Sequence, residues 1–235
     1  MRISVIIPTL NESRLVSAAV SSAKQAGADE IIVVDGASSD GTAEVAAALG
    51  CQVIHCDPGR SGQQNAGAER ASGDVLLFLH ADSRLGRDSL DQIRLVLQDD
   101  RLVGGAFKHH IEAKGILFRL LELGNAARVH WFSMAYGDQG IFVRRTIFHD
   151  IAGFPPVRLM EDVRLMRRLR QQGRIVLLTG PLVTSARRWQ QRGVVWQTLQ
   201  NWLLLTAEWL GVSPDYLATF YPPSGSNSQT DTNGE

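Results

Sequence analysis

No apolar run in the sequence reaches the roughly 18 residues that a membrane-spanning helix needs. Cysteine is scarce as well: Cys51 and Cys56 are the only two among 235 residues. Five apart on what reads as one strand, they face opposite sides about 17 Å from each other. A disulfide requires a Cα separation of about 4.4–6.8 Å, so the two are expected as free thiols, which suit a reducing compartment. An excess of one charge is also missing, because 24 basic residues balance 24 acidic ones, and nothing in the bulk charge argues for nucleic acid. The segment "PTLNES" after the first apolar run holds no glycine, which excludes the dinucleotide-binding fingerprint G-x-G-x-x-G. Neither a P-loop nor the G-x-S-x-G of serine hydrolases occurs. The N-terminal run Ile3 to Pro8 is too short for a secretory leader, so the expectation is a cytoplasmic protein.

What is present alternates. "ISVIIP" (3–8), "EIIVVD" (30–35), "CQVIHC" (51–56) and "DVLLFLH" (74–80) read as buried strands, separated by helical stretches. The spacing of Thr9 and Glu12 predicts a capping box opening a helix that runs to about Ala26. This order predicts an α/β fold: a mostly parallel, Rossmann-like sheet with helices on both faces. Further on, helices are predicted near 87–98 and 116–132, a strand over "VGGAFKHHIE", and strands at 140–145 and 174–178. In "MEDVRLMRRLRQQ" the residues Met160, Val163, Met166 and Leu169 share one helical face. No internal repeat or linker divides the chain. One domain is expected over 1–221, with a helix at 194–211 and a disordered polar tail at 222–235.

In a parallel sheet, ligands bind beyond the carboxyl ends of the strands. Thr9 and Glu12 follow the first strand, Asp35 ends the second, and His80 and Asp82 close the fourth. On an extended strand, His80 and Asp82 would share a face and could reach one ligand. Three strands ending in carboxylate or hydroxyl groups at one edge form a candidate site.

The ordered series "VIIPTLNE", "IIVVDGASSDGT", "GQQNAGAERASGDVLLFLHAD", "YGDQGIFVRR" and "MEDVRLMRRL" resembles a family 2 glycosyltransferase of the GT-A fold over about residues 3–190. Within that family it is similar to a small soluble branch associated with arsenosugar biosynthesis. The resemblance implies a nucleotide-diphosphate-sugar donor, a divalent metal (Mg2+ or Mn2+) and an inverting displacement onto a small-molecule or lipid-linked acceptor. Carried onto this chain, Pro8, Thr9 and Glu12 would contact the nucleoside, and Asp35 would accept a hydrogen bond from the base. Arg60 would reach the nucleotide, and Asn65 and Gly67 would let the following helix lie close to it. His80 and Asp82 stand where the family has D-x-D: Asp82 would ligate the metal, and His80 would be a second ligand or a partner of the ribose. Asp162 would be the catalytic base and Glu161 the alternative base or an orienting neighbour, although acids in a first helical turn also complement the macrodipole. Asp138 and Gln139 would meet donor sugar and acceptor, Arg188 the diphosphate and Trp189 the acceptor.

Between Arg158 and Arg192 nine arginines face only Glu161 and Asp162, a pattern of solvated helix faces or of a surface for anionic groups. The helix at 194–211 is strongly apolar, with Trp196, Trp202 and Trp209. It reads as a core-covering or dimer helix, because a membrane-surface helix usually carries a basic polar face that this one lacks. Peripheral contact with the inner membrane face and a homodimer through this helix stay open. Two rivals remain: a non-catalytic nucleotide- or sugar-binding protein, and a sugar-1-phosphate nucleotidyltransferase. The second should carry a glycine-rich basic loop after the first strand, and none is present.

Overall fold

The computed structural model describes residues 1–186, 189 and 193–220. Eight strands form one sheet in the order β3-β2-β1-β4-β7-β6-β8-β5. They are β1 (Ile3–Thr9), β2 (Glu30–Asp35), β3 (Gln52–His55), β4 (Val75–Phe78), β5 (Ser83–Leu85), β6 (Leu102–Glu112), β7 (Ile141–Arg144) and β8 (Arg174–Ser185). The pairs β1–β2, β2–β3, β1–β4 and β6–β8 are parallel. Antiparallel pairing joins β7 to β4 and β6, and β5 to β8. The parallel, Rossmann-like character therefore belongs to the N-terminal half, and β7 reverses direction beside it.

Helices cover both faces, as the unbroken apolar strands demand. Alternate residues of β1 and β4 divide between two cores. Ile3, Val5, Ile7, Val75 and Leu77 pack with Val16, Ala19 and Val20 of α1 (Val16–Gln25) and with Leu90 and Ile93 of α4 (Ser89–Val96). Ile6, Leu76 and Phe78 face the other way. Their partners are Ala68 of α3 (Arg60–Arg70), Phe148 of α6 (Arg145–Asp150), and Leu165, Met166 and Leu169 of α7 (Glu161–Gln172). The short α2 (Thr42–Ala48) contributes Ala46 to the first core. The predicted apolar face of α7 is buried as expected.

Three expectations are corrected. Thr9 is the last residue of β1, paired with Asp35, and α1 starts at Val16 with no side-chain cap. The loop between them is held from a neighbouring loop instead: Asn11 N–H donates to Ser38 Oγ at 2.9 Å and Glu12 N–H to Thr42 Oγ1 at 2.9 Å. Strand β4 ends at Phe78, so His80 lies past the strand and Asp82 in a turn. Strand β8 continues to Ser185 because an irregularity takes up Thr179 and Gly180: Phe107 pairs with Leu178, but Lys108 with Pro181. Both cysteines are free, and Cys51 and Cys56 flank β3.

The long helix α5 (Ile116–Phe132) and the C-terminal α8 (Val194–Trp209) and α9 (Pro214–Ala218) complete the described chain. Among the described residues no helix is long and apolar enough to cross a membrane. Helix α8 is pinned to α7 by Glu208, whose carboxylate accepts from Arg167 Nη1 at 2.9 Å and Nη2 at 2.7 Å, and from Arg164 Nε at 3.3 Å. Leu204 and Leu217 join Met160 and Val163 in a small third core beneath it. The predicted tail, 222–235, lies outside the described residues.

Candidate active site

Registers of the parallel strands bring the ends of β1, β2 and β4 to one edge. Because Ile141 pairs with Phe78, the turn that enters β7 opens on that same edge. At the β1–β2 corner Asp35 is 2% exposed, with Oδ2 accepting from Ser38 N–H at 2.9 Å and Oδ1 from Thr9 Oγ1 at 3.3 Å. His55 Nδ1 approaches Asp35 at 3.7 Å. Pro8 is half-buried beside it, and Glu12 sits in the loop tied to Thr42. Gln63 of α3 locks the corner, donating to the carbonyls of Thr9 at 2.7 Å and Val34 at 2.9 Å. Sequence reading missed Gln63, although its position within "GQQNAG" was in view.

The second cluster forms around Gly137, the first residue of a single 3-10 turn (Gly137–Gln139). Its N–H donates to Asp162 Oδ2 at 2.6 Å, while Val163 N–H donates to Oδ1 at 2.7 Å. The His80 ring reaches the same spot: a Cβ on Gly137 would lie 3.0 Å from His80 Nε2 and 3.4 Å from Asp162 Oδ2. A side chain there would make the His80 ring give way by a few tenths of an ångström. His80 is thus aligned with Asp162, not with Asp82 as extended geometry predicts, because the chain turns after Leu79. Asp82 is half-buried in that turn, where Ser83 Oγ donates to it at 3.3 Å.

Glu161 and Asp162 open α7 after Met160, a non-glycine residue with φ of 62°. Such backbone is held only where its surroundings enforce it, and often at functional sites. Glu161 is 4% exposed and lies 3.6 Å from Arg60 Nη1, at the start of α3. Burial pushes the Glu161 carboxyl up to about 7, with Arg60 opposing the shift and Asp162 adding to it. Burial raises Asp162 too, against the two backbone N–H donors. Acids that merely complement a helix dipole would be depressed, so burial outweighs the dipole here.

Third is a cleft between α5 and α8, lined in part by Arg128, Tyr136, Asp138, Trp189 and Trp202. It unites Asp138 and Trp189, two of the acceptor-side residues expected from sequence. One carboxylate oxygen of Asp138 is buried with no hydrogen-bond partner among the described residues. Gln139 is different: it is fully buried, and its Oε1 accepts from Arg128 Nη2 at 2.7 Å and Tyr136 N–H at 3.1 Å. Its amide holds the wall of the cleft, so its expected contact with substrate is corrected to a supporting one. Arg128 lies over the Tyr136 ring at 3.3 Å and was not legible as a site residue.

Two donor-side expectations change as well. The Asn65 side chain bonds the backbone of Phe154 in both directions, at 2.9 Å each, and so fixes the turn before α7. Gly67 permits close packing on the sheet, since a Cβ there would lie 2.5 Å from Ile6 Cγ2. Arg188 lies outside the described residues. Among the described residues no cluster of three or more His, Cys, Asp or Glu side chains could hold a metal, so a cation here would need oxygens from its substrate beside Asp82.

The sheet order, with β7 reversed beside four parallel strands, is the GT-A fold. It is shared with the mannosyltransferase PcManGT of Pyrobaculum calidifontis, solved with GDP-Man and Mn2+, at a TM-score of 0.68, 19% identity, and coverage of 95% of this chain and 65% of that one. S. aureus TarS 1-349, solved with UDP, gives a TM-score of 0.65 at 17% identity, covering 79% of this chain and 60% of the other. The profile of glycosyl transferase family 2 matches residues 4–163, and the chain belongs to that family. An uncharacterized glycosyltransferase of Nostoc sp. is 35% identical over 121 residues, 48% of this chain and 37% of the relative. One from Rickettsia prowazekii is 37% identical over 97 residues, 40% of this chain and 32% of the relative. The matched stretch thus spans about a third of the length of these relatives.

Proposed function

We propose that this chain transfers a sugar from a nucleotide-diphosphate donor to an acceptor hydroxyl, with inversion at the anomeric carbon. The observation that carries the reading is the Glu161–Asp162 pair, buried at the common edge of β1, β2 and β4, with carboxyl groups raised by burial. The nucleoside binds at the Pro8–Thr9–Glu12 and Asp35 corner, next to Arg60. Asp162 takes the acceptor proton as the oxygen attacks: its carboxylate is oriented by the Gly137 and Val163 N–H groups. Glu161, buried against Arg60, orients that guanidinium toward the donor phosphates. His80 packs beside the Asp162 carboxylate and limits the positions it can take.

A divalent cation fits the donor set if Asp82 supplies the single protein carboxylate and the diphosphate and water supply the rest, a coordination that Mg2+ and Mn2+ both accept. When bound, such an ion offsets charge on the leaving diphosphate. The acceptor enters by the cleft of Asp138, Tyr136 and Trp189. Calorimetry with UDP and GDP in the presence of Mn2+ tests the donor site. Binding that weakens sharply with EDTA and in Asp82→Asn is expected, and affinity independent of metal would refute the role of Asp82.

A further inference from the structure

Helices α5 and α8 are inside out. On α8 the polar residues Gln197 and Glu208 are buried, whereas Trp196, Leu199, Leu203 and Trp209 are exposed, Trp209 to 77%. On α5 Glu122 is buried and held by Arg119 at 2.9 Å, whereas Ile116, Leu120, Leu123 and Trp131 are exposed. A helix facing water arranges these the other way. The two helices adjoin, since Leu121 and Asn125 of α5 line the same cleft as Trp202 and Leu205 of α8. On both helices the outer face is an apolar surface of clustered exposed side chains rather than singly scattered ones.

We propose that this surface docks onto an anionic lipid bilayer, with α5 and α8 lying in the headgroup plane. Charge argues for lipid over a second copy of the chain. The acids of both helices are buried in ion pairs with arginines, so the outer face presents no carboxylate. Of the acids flanking the helices, Glu112 is paired with Arg84 at 2.6 Å, and Asp215, which accepts from the Arg158 N–H at 3.1 Å, is exposed. Lys114 is exposed just ahead of α5, and Arg119, Arg164 and Arg167 each keep more than a third of their side chains in solvent, so the charge around the two helices is positive. A two-fold contact would set like charges against each other, whereas anionic headgroups are attracted. Tryptophan suits that boundary, where its ring is apolar and its N–H stays wet. The cleft of Asp138 and Trp189 opens between the same helices, so docking would bring it to the lipid surface.

Flotation of the full chain with phosphatidylcholine vesicles, with and without phosphatidylglycerol, tests this. The wild type is expected to float with the phosphatidylglycerol vesicles and to show a blue-shifted tryptophan emission. Trp209→Ser and Leu203→Ser are each expected to lower partitioning about tenfold. Leu120→Ser on α5 is a second, independent variant, and circular dichroism checks that every variant folds. Failure of the wild type to float overturns the proposal. So does equal flotation of all folded variants. A wild-type dimer in sedimentation that the same variants dissolve, without flotation, assigns the face to a second copy and also overturns it.

Discussion

Gly137 and Asp162 are joined by the shortest contact described at the site edge: the glycine N–H donates to Asp162 Oδ2 at 2.6 Å. The bond couples the turn before β7 to the first turn of α7. It also favours glycine, because the His80 ring lies 3.0 Å from where a Cβ would sit and would have to shift to admit one.

Replacing Gly137 by alanine should therefore displace either His80 or Asp162 while leaving the nucleotide corner intact. The expected result is a loss in kcat of about 10²-fold, with nucleotide affinity nearly unchanged. Parallel turnover and calorimetric measurements check this, and an unaltered kcat would contradict the crowding argument.

Glu161 makes stability depend on pH in an unusual direction. Its carboxyl is raised in the folded chain from 4.5 to about 7, so the folded state holds a proton that the unfolded state has released. Stability should fall as pH rises through that window, and the loss is complete above it. Asp162, also raised, acts in the same sense. Glu161→Gln removes the Glu161 share, so its stability relative to wild type should grow by about 3 kcal/mol as pH rises through the window. Urea unfolding of both proteins across it gives the difference, and a constant offset would contradict the assignment.

Glu208 holds the C-terminal helix. Glu208→Ala leaves Arg164 and Arg167 without their shared partner, but both are partly solvated, so the expected loss is about 1–3 kcal/mol rather than that of a fully buried pair. The urea midpoint reports it. An unchanged midpoint would mean that α8 is held by Leu204 and its neighbours alone.

Strands β1 and β2 and helices α5 and α7 were legible because their patterns are unambiguous: unbroken β-branched runs for the strands and a long periodic face for α7. The edge of the sheet was legible too, since alternation alone places Thr9, Asp35 and the residues after β4 together. What sequence could not show depends on contacts between distant loops. Thr9 and Glu12 have capping-box spacing, yet Ser38 and Thr42 satisfy that loop from the next crossover. His80 and Asp82 would share a face only if β4 continued four residues further, to Asp82. Gln139 read as meeting donor sugar or acceptor and Asn65 as bringing its helix close to the nucleotide, but their amides close on Arg128 and Phe154. Helix α8 read as a helix whose apolar face turns inward. Glu208 inverts it, because two arginines of α7 await a carboxylate there.

The most direct test of the account is donor turnover in Asp162→Asn. Release of sugar from UDP-glucose and GDP-mannose in the presence of Mn2+, followed beside calorimetric nucleotide binding, separates chemistry from binding. The account predicts that Asp162→Asn lowers turnover of the accepted donor by about 10²–10⁴-fold with nucleotide affinity nearly unchanged. Turnover equal to wild type, or loss of nucleotide binding in the variant, would contradict Asp162 as the base.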